Sequence, residues 1–192
     1  MIHYAGSSES GKLEKALFDP FMAILQNDVQ EFMPYVFQLF AALLEVNPSG
    51  TLPDSYAALI PPIIQTPLYE LKGNVPALIR LLSVIMSRGA DTIIRNNQLE
   101  PILGIFQKLL STKTHETQGF ELIEAVISSF PVETLQPYFS AMVQIMLTRL
   151  SQSKTENFSL RFVHFYHFVS ARDDKGLGTD FFINITDQIQ QE

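Results

Sequence analysis

Apolar residues recur at helical spacing along almost the whole chain. Leu13, Ala16, Leu17, Phe21, Ile24 and Leu25 form one stripe, and Phe32, Val36, Phe37, Leu39, Phe40, Leu43 and Leu44 form the next. The turn-forming run Asn47-Pro48-Ser49-Gly50 stops the second. A third stripe, Tyr56, Leu59, Ile60, Ile63 and Ile64, predicts a helix over Ser55–Gln65. A fourth opens at Gly73-Asn74 with Pro76 in its first turn. It runs through Leu78, Ile79, Leu81, Leu82, Ile85 and Met86 to Gly89, with Asn before and Gly after as caps. A short helix is expected over Ala90–Arg95, followed by helices over Leu99–Leu110, Glu116–Phe130, Leu135–Leu150, Thr155–Ala171 and Thr179–Gln190. No alternation of period two is long enough for a strand.

These helices fall into pairs. Proline sits among apolar residues in Met33-Pro34-Tyr35, Ile60-Pro61-Pro62, Glu100-Pro101-Ile102 and Gln136-Pro137-Tyr138. The spacing is irregular but lies near the roughly 40-residue period of HEAT-type units. The expected pairs are Glu9–Gln26 with Gln30–Glu45, Ser55–Gln65 with Asn74–Arg88, Gln98–Leu110 with Glu116–Phe130, and Thr134–Leu150 with Thr155–Ala171.

A lone pair cannot bury both of its apolar sides. The stripe Phe139, Met142, Val143, Ile145, Met146, Leu147 and Leu150 is too wide for one neighbour. Stacked repeats bury it better than the alternative, a single closed bundle. The fold expected is therefore all-α: a right-handed HEAT-type superhelix of antiparallel helix pairs, truncated at both ends. Residues 1–8 are expected to be a disordered or added leader, and 9–192 the repeat segment of about four pairs plus one unpaired final helix. The apolar face of that helix, Phe181, Phe182, Ile185 and Ile189, is expected to lack its next repeat.

Composition narrows the function. Apolar residues make up 46% of the 192 positions and charged residues 17%, which excludes a disordered chain. The net charge of −7 argues against phosphate neutralisation, so nucleic acid is not an expected partner. The richest apolar stretch, Met33 to Val46, is broken by Gln38 and Glu45, so no membrane partner is expected either. With no cysteine there is no disulfide and no thiolate metal site. The sequon-like Asn157-Phe158-Ser159 and Asn184-Ile185-Thr186 read as chance matches.

Catalytic chemistry finds little support. His164 and His167 are not four apart with an intervening Glu, as a helical zinc protease requires, and are expected to be groove-facing or packed. Gly176-Leu177-Gly178 is a linker, and the loop Asp173-Asp174-Lys175 is a solvated one. Glu121 and Glu124 share a helix face, but acid–base work would need a closed pocket. No catalytic residue, cofactor or metal is expected, and the chain is read as a binding surface and not an enzyme.

In HEAT-type solenoids the second helix of each pair lines the concave face. The polar residues there are Gln38 and Glu45, then Arg80 and Arg88, then Glu121 and Glu124, then Arg161 and Arg172. This alternating strip suits a protein partner better than a polyanion. Arg80, Arg88, Glu121, Glu124 and Arg161 are the candidate partner-binding residues.

Several long runs resemble a known family. They are Ile24-Leu25-Gln26-Asn27-Asp28-Val29-Gln30-Glu31-Phe32-Met33-Pro34-Tyr35-Val36-Phe37-Gln38, Gly73-Asn74-Val75-Pro76-Ala77-Leu78-Ile79-Arg80-Leu81-Leu82, Leu103-Gly104-Ile105-Phe106-Gln107-Lys108-Leu109-Leu110 and Gln118-Gly119-Phe120-Glu121-Leu122. Together they are similar to the CAS-type importin-alpha re-exporters of the importin-beta (karyopherin-beta) superfamily of nuclear transport receptors. The resemblance spans about Ala16 to Gln190. It implies a segment from the C-terminal half of an export receptor that shuttles between nucleus and cytoplasm. It also implies importin-alpha and Ran-GTP as partners, with the main Ran-binding region lying outside this segment. The link between Ala171 and Thr179 looks longer than the family's. A HEAT scaffold unrelated to transport, and an enzyme built on a helical toroid, are the rival readings.

Overall fold

The structure is a computed structural model that describes residues 6–153, 155–172 and 176–191. It forms two compact units, one ending at Gln98 and one beginning at Leu99. Every described element is helical.

The first unit holds α1 (Gly6–Gln26), α2 (Met33–Val46), α3 (Asp54–Ala57), α4 (Ile60–Ile63), a 3-10 turn (Thr66–Tyr69) and α5 (Val75–Arg95). Helix α2 packs between α1 and α5, and α3 and α4 also pack on α5. Proline in the first turn of α2 and of α5 lacks only an N–H that would have no helical partner there. The expected helix over Ser55–Gln65 is instead two single turns. Pro61 and Pro62 have no N–H for the carbonyls four residues back, at Ala57 and Ala58, so the ladder is interrupted between α3 and α4.

Nor is the helix expected to stop at Gly89 a separate element. It continues to Arg95 through a kink at Gly89 (φ −135°, ψ 27°). A Cβ on Gly89 would lie 2.5 Å from Cδ2 of Leu52 and 3.0 Å from its Cβ, so the bare glycine is what admits the loop after α2. We expect Gly89→Val to destabilise the chain by about 1–3 kcal/mol through overpacking, read as a lowered urea midpoint.

Helices α1 and α5 both end on a left-handed residue, Asp28 (φ 49°) and Asn97 (φ 53°). The next residues then bond back into the last turn, Val29 N to Ile24 O at 3.1 Å and Gln98 N to Ile93 O at 3.0 Å. Asp and Asn tolerate this conformation better than other side-chain-bearing residues.

The second unit holds α6 (Leu99–Leu110), α7 (Glu116–Ser129), α8 (Val132–Ser153), α9 (Glu156–Ser170) and α10 (Thr179–Gln191). Helix α7 packs on α6 and α9, and α8 packs on α6, α9 and α10. The α6–α7 approach is close: a Cβ on Gly119 would meet Leu110 Cδ2 at 2.8 Å. Thr155 caps α9 by accepting the Phe158 N–H at 2.9 Å.

The final helix packs on the pair before it. Phe181 meets Phe139 of α8 edge-on at 5.2 Å, and Phe182 is buried against Phe162, Phe165 and Tyr166 of α9. Of the apolar face expected to lack its next repeat, Phe181 and Phe182 are covered because α10 lies against both helices of the preceding pair. Ile185 is half-buried, Ile183 is exposed, and the Ile189 side chain lies outside the described residues. So do the loop residues 173–175 and, of the expected leader, residues 1–5, while the backbone of α1 begins at Gly6.

One regularity shows the repeat directly. Many longer-range side-chain hydrogen bonds join positions 33 to 44 apart, from Asn47–Glu14 to Arg172–Ser128. Within each unit, several helices thus bond to an element about one repeat away, as stacked repeats do.

Candidate partner-binding face

The five candidate residues divide between the units. In the first, Arg80 stands on α5 and forks onto Glu45 of α2, with Nε at 2.9 Å from Oε1 and Nη2 at 2.6 Å from Oε2. This two-pronged bond holds the Arg80 guanidinium above its ordinary pKa, against a smaller opposing effect of burial. The Arg80 side chain is still 44% exposed, so its outer edge faces solvent.

Arg88, two turns on, faces its own chain. Its guanidinium donates to the backbone carbonyls of Glu45, Asn47 and Ser49. It thereby closes the C-terminal end of α2, where the last carbonyls have no helical donor.

In the second unit Glu124 of α7 lies 3.9 Å from the Arg161 guanidinium and 3.2 Å from His164 Nδ1, both on α9. Arg161 also sits over the Phe120 ring at 6.0 Å. His164 and His167 are both exposed. Arg172 stacks on Phe168 at 3.7 Å and bonds Ser128 at 2.8 Å.

Glu121 lies one turn before Glu124 and is exposed. Its carboxyl is raised above the ordinary glutamate range, chiefly by desolvation; Arg161 opposes the shift and Glu124 adds to it. The folded chain thus disfavours the charged form. The stability linked to Glu121 is full below the ordinary glutamate pKa and falls as pH rises through the folded one. Glu121→Gln should therefore raise the melting temperature at pH 7, and the gain should vanish below about pH 4. Melting curves of both proteins across that range check it.

Two features escaped the sequence reading. The first is Glu116, only 3% exposed at the start of α7. Its Oε1 accepts from Thr155 Oγ1 and, at 2.9 Å, from Asn157 Nδ2, while Oε2 lies 3.5 Å from the Arg149 guanidinium of α8. Asn157 also donates to Thr117 Oγ1 at 3.2 Å, so the amide of the sequon-like run is engaged within the fold. The only sequence hint was a glutamate at a position that also suits an ordinary first-turn acid. The second is an open groove of about 260 Å³ between α6 and α8, floored by Leu103, Phe106, Met142 and Ile145. Tyr138 reaches across it to Glu100 Oε1 at 3.0 Å, and that bond raises the tyrosine pKa.

Within each unit this geometry is that of helices stacked on one another and tied by charged side chains. The sequence model described as "CAS/CSE protein, C-terminus" matches residues 1–192. The chain belongs to the CAS/CSE family. An importin-alpha re-exporter of Schizosaccharomyces pombe is 40% identical over 186 residues, 97% of this chain and 19% of that protein. Exportin-2 of Homo sapiens is 43% identical over 154 residues, 79% of this chain and 16% of its own length. A solved structure of the exportin Cse1 in its cargo-free, cytoplasmic state superposes with a TM-score of 0.86 at 33% identity. It covers 98% of this chain and 19% of Cse1.

The fold of this CAS/CSE chain is thus the all-α HEAT-repeat fold of Cse1. The chain spans about a fifth of the length of these relatives. Their names describe transport receptors and not enzymes. No helix among the described residues is long and apolar enough to cross a membrane.

Proposed function

We propose that this CAS/CSE chain serves as a segment of a nuclear export receptor. The receptor binds importin-alpha together with Ran-GTP and returns importin-alpha to the cytoplasm, shuttling between the two compartments. The observation that carries this reading is likeness over 97% of the chain to a protein named for importin-alpha re-export. The segment acts by binding, without catalysis and without a cofactor.

Contacts between elements about one repeat apart let small rotations add along an array. Cargo and Ran-GTP would each favour the same curvature, and that shared preference couples the two binding events. The partner-facing residues are Arg80, Glu121, Glu124 and Arg161, with Arg88 holding the turn beside Arg80. In the second unit, the mixed charge of Glu121, Glu124 and Arg161 favours a protein surface of complementary charge. Nothing in the comparisons favours a scaffold outside transport.

The test replaces the corresponding segment of the fission yeast re-exporter with this chain. The folded chimera should bind importin-alpha with Ran-GTP and restore its export. A chimera that melts normally yet forms no ternary complex overturns the reading. Within the chimera, the combined changes Arg80→Glu, Glu121→Lys, Glu124→Lys and Arg161→Glu should weaken the complex by roughly tenfold or more. Unaltered affinity would move the partner face elsewhere and leave the receptor reading standing.

A further inference from the structure

Glu116 is the one acid among the described residues buried to within a few per cent, and three helices converge on it. Helix α7 supplies the carboxylate. Helix α8 supplies Arg149, whose guanidinium also lies over the Phe158 ring at 5.8 Å. Helix α9 supplies Asn157, with the capping Thr155 just before its first residue. The bonds from Thr155 and Asn157 join positions 39 and 41 apart, so they tie the second helix of one repeat to the second helix of the next.

Apolar packing alone would let α9 slide or roll on α7, because Phe120 meets both Phe158 and Phe165 through tilted ring contacts without directional bonds. The carboxylate admits much less freedom. One oxygen takes two donors from α9 and the other faces the cation from α8, so a shift of one ångström breaks at least one of these contacts. A buried ionic group contributes little net stability compared with apolar residues of the same volume. Its best-attested role is to fix register.

We propose that the Glu116 cluster is a register lock, which fixes the seat of α9 on α7 and α8 so that these three helices turn as one body. This rests on the receptor reading for its purpose: in an array that changes curvature, a locked joint shifts bending to the neighbouring repeats. The lock itself is a property of this chain and stands or falls apart from the chimera experiment.

Three variants test it by hydrogen exchange and thermal melting. Glu116→Gln keeps shape and removes the charge. The double change Glu116→Met with Arg149→Met replaces the ion pair by apolar bulk. Asn157→Ala removes one donor at an exposed position. If the cluster is a lock, the amides of Phe158 and Ser159, which bond Thr155, exchange roughly tenfold or more faster in all three. In the double variant the melting temperature returns near that of the parent while this fast exchange persists. Exchange that returns to the parent rate whenever the melting temperature does would show an ordinary stabilising contact and overturn the lock. Should the double variant fail to fold, Asn157→Ala decides alone: unchanged exchange at Phe158 and Ser159 overturns the proposal.

Discussion

Phe40→Ala should destabilise the chain by about 3–5 kcal/mol, the usual range for truncating a buried phenylalanine. Phe40 is fully buried and stands at the centre of an aromatic cluster. Its ring lies 5.2 Å from Phe18, 5.3 Å from Phe21 and 5.9 Å from Tyr56, in tilted or edge-on contacts. These rings come from α1, α2 and α3, so the cavity would open where three elements meet and could not close by moving one of them. For a chain of this size the loss corresponds to a fall of roughly 6–20 °C in melting temperature. Phe40→Leu should recover much of it, since it leaves less empty volume. A fall under about 2 °C for the alanine variant would show that α1 packs differently from the contacts described.

Glu116→Ala should have a similar effect for a different reason. No large apolar volume is lost. What remains is Arg149, whose side chain is 10% exposed, beside a vacancy where its counter-charge was. Removing one partner of a buried pair costs about 3–5 kcal/mol, because the charge left behind loses a counter-ion in a poorly solvated site. Thr155 and Asn157 lose an acceptor in the same step. Urea unfolding should show a lower midpoint with an unchanged slope, and adding Arg149→Met should restore much of the loss. If Glu116→Ala alone leaves the midpoint in place, the carboxylate is not buried as described.

Much of the fold was legible in the residues. The 3.6-residue spacing marked each long helix, and prolines, glycines and asparagines marked most of their ends. The irregular spacing of the prolines, near the roughly 40-residue period of HEAT-type units, pointed to the repeat, and long family-like runs such as Ile24–Gln38 pointed to the family that the comparisons show. Among the boundaries misread, two show local signals competing. The apolar stripe over Ser55–Gln65 argued for one helix, but Pro61 and Pro62 removed the donors it needed. Gly89 argued for a stop, yet a kink beside Leu52 let the helix continue.

The candidate face was legible only as a set of exposed positions. Periodicity placed Arg80, Arg88, Glu121, Glu124 and Arg161 on second helices, but it is blind to what each side chain meets. Arg80 and Arg88 point at acceptors 35 to 43 residues earlier, and these bonds separate a forked surface pair from a clamp on backbone carbonyls. Glu116 looked like any first-turn acid until α8 and α9 closed over it.

The sequence alone thus determined the class of structure, because helical periodicity and capping depend on residues only a few positions apart. It also determined the family, because long ordered runs carry that information whatever their environment. Tertiary structure decided where α10 lies, which charges are spent within the fold and which carboxylate is buried. Those outcomes depend on groups brought together from about a repeat away, where desolvation and bond geometry outweigh local preference.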